Sequence, residues 1–122
     1  MGEREAAISV RGLVRGYGTL RVLEGLEMTV AAGSIYGLLG PSGCGKTTLL
    51  KVVLGRLIPE AGEVSVLGAP PGEKGSPVPG SPVGYSPQEI ALYEDLTIAE
   101  SMRFHGRLHG MPIKRIRERQ AW

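Results

Sequence analysis

Apolar and polar residues alternate from Ile8 to Leu13, the pattern of a strand with one buried face. Gly12, Gly16 and Gly18 then mark turns around Tyr17. Val22 to Val30 predicts one or two short strands with Leu26, Met28 and Val30 on one face, and Ala32-Gly33 turns the chain. From Ser34 to Leu39 the alternation stops. A continuous apolar run of that length predicts a strand buried on both faces. Glycines from Gly40 to Gly45 form a loop, and Lys46 to Leu54 is a predicted helix. Its buried stripe is Leu49, Leu50, Val53 and Leu54, with Gly55 placed to end it.

Pro59 and Gly62 bracket a turn before a predicted strand from Glu63 to Leu67. Gly68 to Pro82 is dense in glycine and proline and predicts a surface loop, followed by a short strand from Val83 to Ser86. Thr97 and Glu100 have the spacing of a capping box. The threonine hydroxyl accepts from the N–H three residues on while the carboxylate reaches back. The helix they open should run to about His109. Gly110 and Pro112 break it, and a basic helix follows. No internal repeat interrupts this order, which predicts an α/β or α+β domain.

Composition narrows the picture. The 122 residues suit one domain or a part of one. With 42% apolar residues the chain can build a core, which excludes a disordered composition. Fourteen basic residues against twelve acidic ones leave no broad field for nucleic acid. The single cysteine, Cys44, excludes an internal disulfide framework and fits a reducing compartment. The start, Met1-Gly2-Glu3-Arg4, lacks the apolar core of a signal peptide, and Ala6 stands where a myristoylation motif has Ser or Thr. No apolar run approaches the ~20 residues that cross a bilayer, so a membrane-spanning part is expected elsewhere.

The candidate chemistry lies in Gly40-Pro41-Ser42-Gly43-Cys44-Gly45-Lys46-Thr47, which matches the P-loop pattern G-x-x-x-x-G-K-[ST]. Glycines let the backbone curl so that successive N–H groups face inward as an anion nest. The helix starting at Lys46 adds unpaired N–H groups and a positive dipole end. Lys46 brings a full charge to the β and γ phosphates of a nucleotide. Thr47 offers a hydroxyl to Mg²⁺, a cation that prefers oxygen ligands. Cys44 has two readings: a redox-sensitive thiol at a helix start, or a small residue whose backbone N–H serves the nest. The second is favoured.

From Ile8 to Gly110 the chain resembles the nucleotide-binding domain of ABC transporters. Four features carry the resemblance in register: Tyr17 with Leu23, Leu26 and Val30; the loop from Gly40 to Thr48; Pro59-Glu60-Ala61-Gly62-Glu63-Val64 with Val66 and Gly68; and Gly84-Tyr85-Ser86-Pro87-Gln88 with Leu92-Tyr93 and Leu96 to Glu100. Ile35 to Leu39 and the long Gly/Pro loop look most like the eukaryotic G and H subfamilies or related exporter-type ATPases. The resemblance implies a P-loop NTPase core with an antiparallel β subdomain over about residues 7–88, and the start of a helical subdomain over about 89–122. It implies ATP and Mg²⁺ as cofactors. Gly40, Pro41, Ser42, Gly43, Cys44, Gly45, Lys46, Thr47 and Thr48 would hold the phosphates, and Tyr17 would stack on adenine. Lys46 and Gln88 would serve catalysis, with Thr47 and Gln88 at the metal. It further implies a transmembrane partner, a second nucleotide-binding domain in an ATP sandwich, and a place on the cytoplasmic face of a membrane.

In this family hydrolysis also draws on a Leu-Ser-Gly-Gly-Gln signature, an apolar strand ending in Asp-Glu and a switch histidine, and none of these is in the sequence. The chain is therefore expected to be an N-terminal fragment of an ABC ATPase that does not hydrolyse ATP alone. Two alternatives stay open: a short, non-hydrolysing nucleotide-binding module, and a soluble ABC-type ATPase without membrane domains. His105 and His109 have metal-ligand spacing but no third ligand, and a surface pair is the favoured reading. Lys114, Arg115, Arg117 and Arg119 lack interleaved aromatics and read as a solvated helix face.

Overall fold

The structure is a computed structural model that describes residues 5–122, so the leader reading of Met1 to Arg4 lies outside the described residues. The described residues fall into two compact units, the first closing at Pro79 and the second running Gly80–Trp122.

The first unit is built on a three-stranded antiparallel sheet in the order β2-β1-β3. β1 is Ala6–Tyr17, β2 is Leu20–Ala31 and β3 is Ala61–Val66. The predicted pieces between Val22 and Val30 thus form one long strand, paired with β1 as a hairpin from Ala6↔Ala31 to Tyr17↔Leu20. A helix, α1 (Lys46–Val53), packs on β2 and β3. Val10 and Leu13 of β1, Leu23 of β2 and Val64 and Val66 of β3 are buried, as are Leu49, Val52 and Val53 of α1. Each such side chain contributes ~1.5–3 kcal/mol when fully removed from water, so this layer dominates the unit's cohesion.

At Gly62, β3 comes so close to β1 that a Cβ would run into the backbone of Arg11 and Gly12, and its φ of +89° already favours glycine.

Four expectations are corrected. Ser34 to Leu39 is not a strand. It is irregular and exposed, with Ile35 and Leu39 at 103% and 94% relative exposure. A buried parallel strand draws its geometry from neighbours on both edges, and no strand pairs with this segment among the described residues. Val83 to Ser86 is likewise irregular. On α1 the buried stripe is Thr48, Leu49, Val52 and Val53, while Leu50 faces outward. The i, i+3, i+4 rule started from Leu49 gives this stripe, and only that face meets the sheet. The loop after Gly68 is not wholly on the surface: Val78 is 1% exposed and its carbonyl accepts from the Gly72 N–H at 2.8 Å.

The second unit holds α2 (Ile98–Leu108) and α3 (Ile113–Gln120). Thr97 caps α2 as predicted. Its hydroxyl accepts from the Glu100 N–H at 3.2 Å, and Glu100 Oε2 accepts from the Thr97 N–H at 2.9 Å. The helices pack where Gly106 meets Ile116, and a Cβ on that glycine would stand 2.7 Å from Ile116 Cγ1. Gln120 Nε2 donates to the Ala99 carbonyl at 2.6 Å and closes the hairpin. No helix among the described residues is long and apolar enough to cross a membrane.

Candidate functional site

The loop Gly40 to Gly45 delivers the chain onto the first turn of α1. The Cys44 N–H donates to the Pro41 carbonyl at 3.3 Å, a tight turn that curls the segment back on itself. Gly45 is the N-cap of α1 in the left-handed region, with φ +105°. A Cβ there would lie 2.8 Å from Leu23 Cδ2 and 3.0 Å from Val22 Cγ1, so only glycine lets β2 press against the loop.

No side chain caps α1. The first four N–H groups of a helix have no partner within it, so those of Gly45 to Thr48 stay available to an outside acceptor. Lys46 turns back over the loop. Its Nζ donates to the Gly40 carbonyl, to the Pro41 carbonyl at 2.8 Å and to Cys44 Sγ at 3.6 Å. A cation, free helical N–H groups and the positive end of the helix dipole thus converge on one exposed turn. That is the electrostatics of an anion site, and the ammonium is held by neutral carbonyls that a phosphate can outcompete. Thr47 is exposed on the first helical turn and Thr48 is buried beneath it.

Tyr17 ends β1 at the hairpin tip, paired with Leu20. Val22 and Leu23, a little further along β2, are the residues a Cβ on Gly45 would meet, so the hairpin ties the tyrosine to the loop. Tyr17 is 45% exposed. Arg15 lies over it, with Cζ 5.7 Å from the ring centroid, and pairs with Glu60. Arg15 carries no mark in the sequence beyond the i, i+2 spacing that puts it and Tyr17 on one side of a strand, and Glu60 stands there only as part of the Pro59 to Val64 run.

Gln88 belongs to the second unit, where it is exposed in an irregular segment. In that unit His105 and His109 spend their Nδ1 atoms on the carbonyls of Ser101 and Ser81, at 2.9 and 3.4 Å. No group of three or more His, Cys, Asp or Glu residues is placed to hold a metal among the described residues. Beside them, Phe104 packs edge-on against Tyr93 with centroids 5.8 Å apart.

The fold and the glycine loop define an ATP-binding cassette, and comparisons with known proteins agree. The family model described as ABC transporter matches residues 23–122. The chain belongs to the ABC transporter family. It is 46% identical over 105 residues to ABC transporter G family member 23 of Dictyostelium discoideum, covering 86% of this chain and 15% of that protein. It is 38% identical over 114 residues to Nod factor export ATP-binding protein I of Rhizobium sp. (strain N33), covering 93% of this chain and 37% of that protein. Among solved structures, an ATP binding subunit of an ABC transporter superposes with a TM-score of 0.74 at 28% identity, over 88% of this chain and 45% of that one. The chain thus spans well under half the length of the relatives it matches.

Proposed function

We propose that this chain holds the phosphates of ATP at Gly40 to Thr48 and serves, within a complete protein, as part of the ATPase that drives transport across a membrane. One observation carries the reading: the uncapped start of α1 and the Lys46 ammonium face the same exposed turn. Lys46 and the N–H groups of Gly45 to Thr48 bind and orient the β and γ phosphates, and Tyr17 stacks on adenine. Such a stack contributes about 1–3 kcal/mol.

The donor set fits Mg²⁺, since Thr47 presents a hydroxyl on the exposed first turn and a hard cation takes neutral oxygens together with phosphate oxygens. When bound, that ion neutralises charge on the phosphates. In the complete protein Gln88 would supply an amide oxygen to the ion and orient the attacking water. As water adds to the γ-phosphorus and the bond to the β–γ bridging oxygen breaks, ADP departs, the water's proton passes to the released phosphate or to solvent, and Lys46 stabilises the charge that gathers on the departing oxygens. The 122 residues contain no Leu-Ser-Gly-Gly-Gln signature and no apolar strand closed by Asp-Glu. Hydrolysis is therefore assigned to the complete protein, in which a second nucleotide-binding domain closes the ATP site. Residues from about 89 to 122 begin the helical subdomain that meets a transmembrane partner at the cytoplasmic face.

Phosphorus NMR of ATP titrated with the chain tests the binding step. The β and γ resonances should shift and broaden more than the α, and AMP should respond far less. Equal responses of ATP and AMP would refute the phosphate assignment.

A further inference from the structure

We propose that Arg15 and Glu60 are positioning residues for Tyr17 and set the affinity for the nucleotide's base without touching its phosphates. The inference rests on reading Tyr17 as the adenine platform.

Three contacts join at one point. Arg15 Nη1 lies 3.6 Å from Glu60 Oε1. The same carboxylate oxygen accepts from the Gly16 N–H at 3.1 Å. Glu60 is fixed in turn, because its own N–H donates to the Val14 carbonyl at 2.9 Å. The residue just ahead of β3 therefore grips β1 over Val14 to Gly16, immediately before the tyrosine. On the other side of the tip, a Cβ on Gly16 would collide with the Leu20 carbonyl, so the turn is packed as tightly as glycine allows.

The pair is not explained as a stabilising ion pair. Its side chains are 25% and 44% exposed, and such pairs contribute little. Arg15 Nε is also buried without a hydrogen-bond partner among the described residues, an arrangement that forgoes a bond to keep the guanidinium in place. What the position achieves is contact with the ring: Cζ stands 5.7 Å from the Tyr17 centroid, within cation–π range. Tyr17 has a guanidinium over one face of its ring and the residue remains 45% exposed, which leaves room for a flat π-system. Fixing the ring in advance removes an entropy cost that a free tyrosine meets on binding.

Equilibrium titrations of ATP and of inorganic triphosphate separate base from phosphate binding. Arg15→Met, which keeps the packing stem, should weaken ATP by about threefold to fivefold and leave triphosphate unchanged. Arg15→Lys should recover part of the loss, and Glu60→Gln should weaken ATP by about twofold. Thermal melts accompany each variant, and if Arg15→Met does not fold, Glu60→Gln carries the test. An equal loss for ATP and triphosphate, or tighter ATP binding, would overturn the proposal. Tyr17→Ala in the same series distinguishes the two levels. If it leaves ATP affinity unchanged, the adenine reading fails. If it weakens ATP while Arg15→Met and Glu60→Gln do not, only the positioning role fails.

Discussion

Lys46 Nζ donates to the carbonyl oxygen of Pro41 at 2.8 Å, five residues back along the same loop. The ammonium thus closes the turn that it is to share with phosphate. Charge-assisted bonds to phosphate are stronger than those to neutral carbonyls, so a nucleotide can take over the lysine without unwinding the loop.

The curl of this loop depends on Gly40. A Cβ there would lie 2.7 Å from Cys44 Sγ and 3.8 Å from Lys46 Nζ. Gly40→Ala should therefore open the turn and lower ATP affinity about tenfold, the loss of roughly one charge-assisted contact. Cys44→Ala alone should leave affinity unchanged, because that position serves through its backbone N–H. The double variant should regain part of the loss. Titration calorimetry on the three variants checks all of these outcomes.

Gly62 makes a different demand, on stability. With φ at +89° and the backbone of β1 in the way, Gly62→Ala is expected to cost about 1–3 kcal/mol and to lower the melting temperature. Chemical denaturation followed by circular dichroism measures it. An unchanged midpoint would mean that β3 does not approach β1 so closely.

In the second unit the capping box should respond to acid. The Thr97 hydroxyl, and then its backbone N–H, hold the Glu100 carboxyl below its ordinary value of 4.5, with Arg103 adding to the effect. A carboxyl lowered in the folded state stabilises that state above the unfolded pKa. The contribution fades as pH falls through the lower folded value. The helical signal of α2 should therefore weaken below about pH 4.5, and Glu100→Gln should abolish that dependence. Thr97→Ala should cost about 1 kcal/mol at neutral pH, the usual worth of such a cap.

Ile35 and Leu39 stand almost fully in solvent. An unpaired apolar segment invites association. The chain by itself should self-associate, and Ile35→Lys should reduce this, as seen by sedimentation velocity. A monomer with a sharp cooperative melt would contradict the expectation.

How much of this was legible in the sequence depends on the range of the forces involved. The capping box at Thr97 and Glu100 and the helix after Gly45 are local, and both form where the residues indicate. Ser34 to Leu39 has a composition that suits a strand, but strand geometry comes from neighbours, which this segment lacks among the described residues. Leu50 and Val78 depart from the sequence pattern for a related reason: which apolar side chains are buried depends on what faces them. The glycine loop was readable as a pattern. The clasp between Gly16 and Glu60, 44 residues apart, was not, since nothing local marks a contact across two strands.

The central claim is that Lys46 and the loop before α1 hold the terminal phosphates of ATP. Equilibrium titration of ATP against the unaltered chain and against Lys46→Ala tests it most directly. The variant should lose about 1.5–3 kcal/mol, at least a tenfold weakening, while its circular dichroism spectrum stays the same. Equal affinity in the two folded proteins would contradict the account.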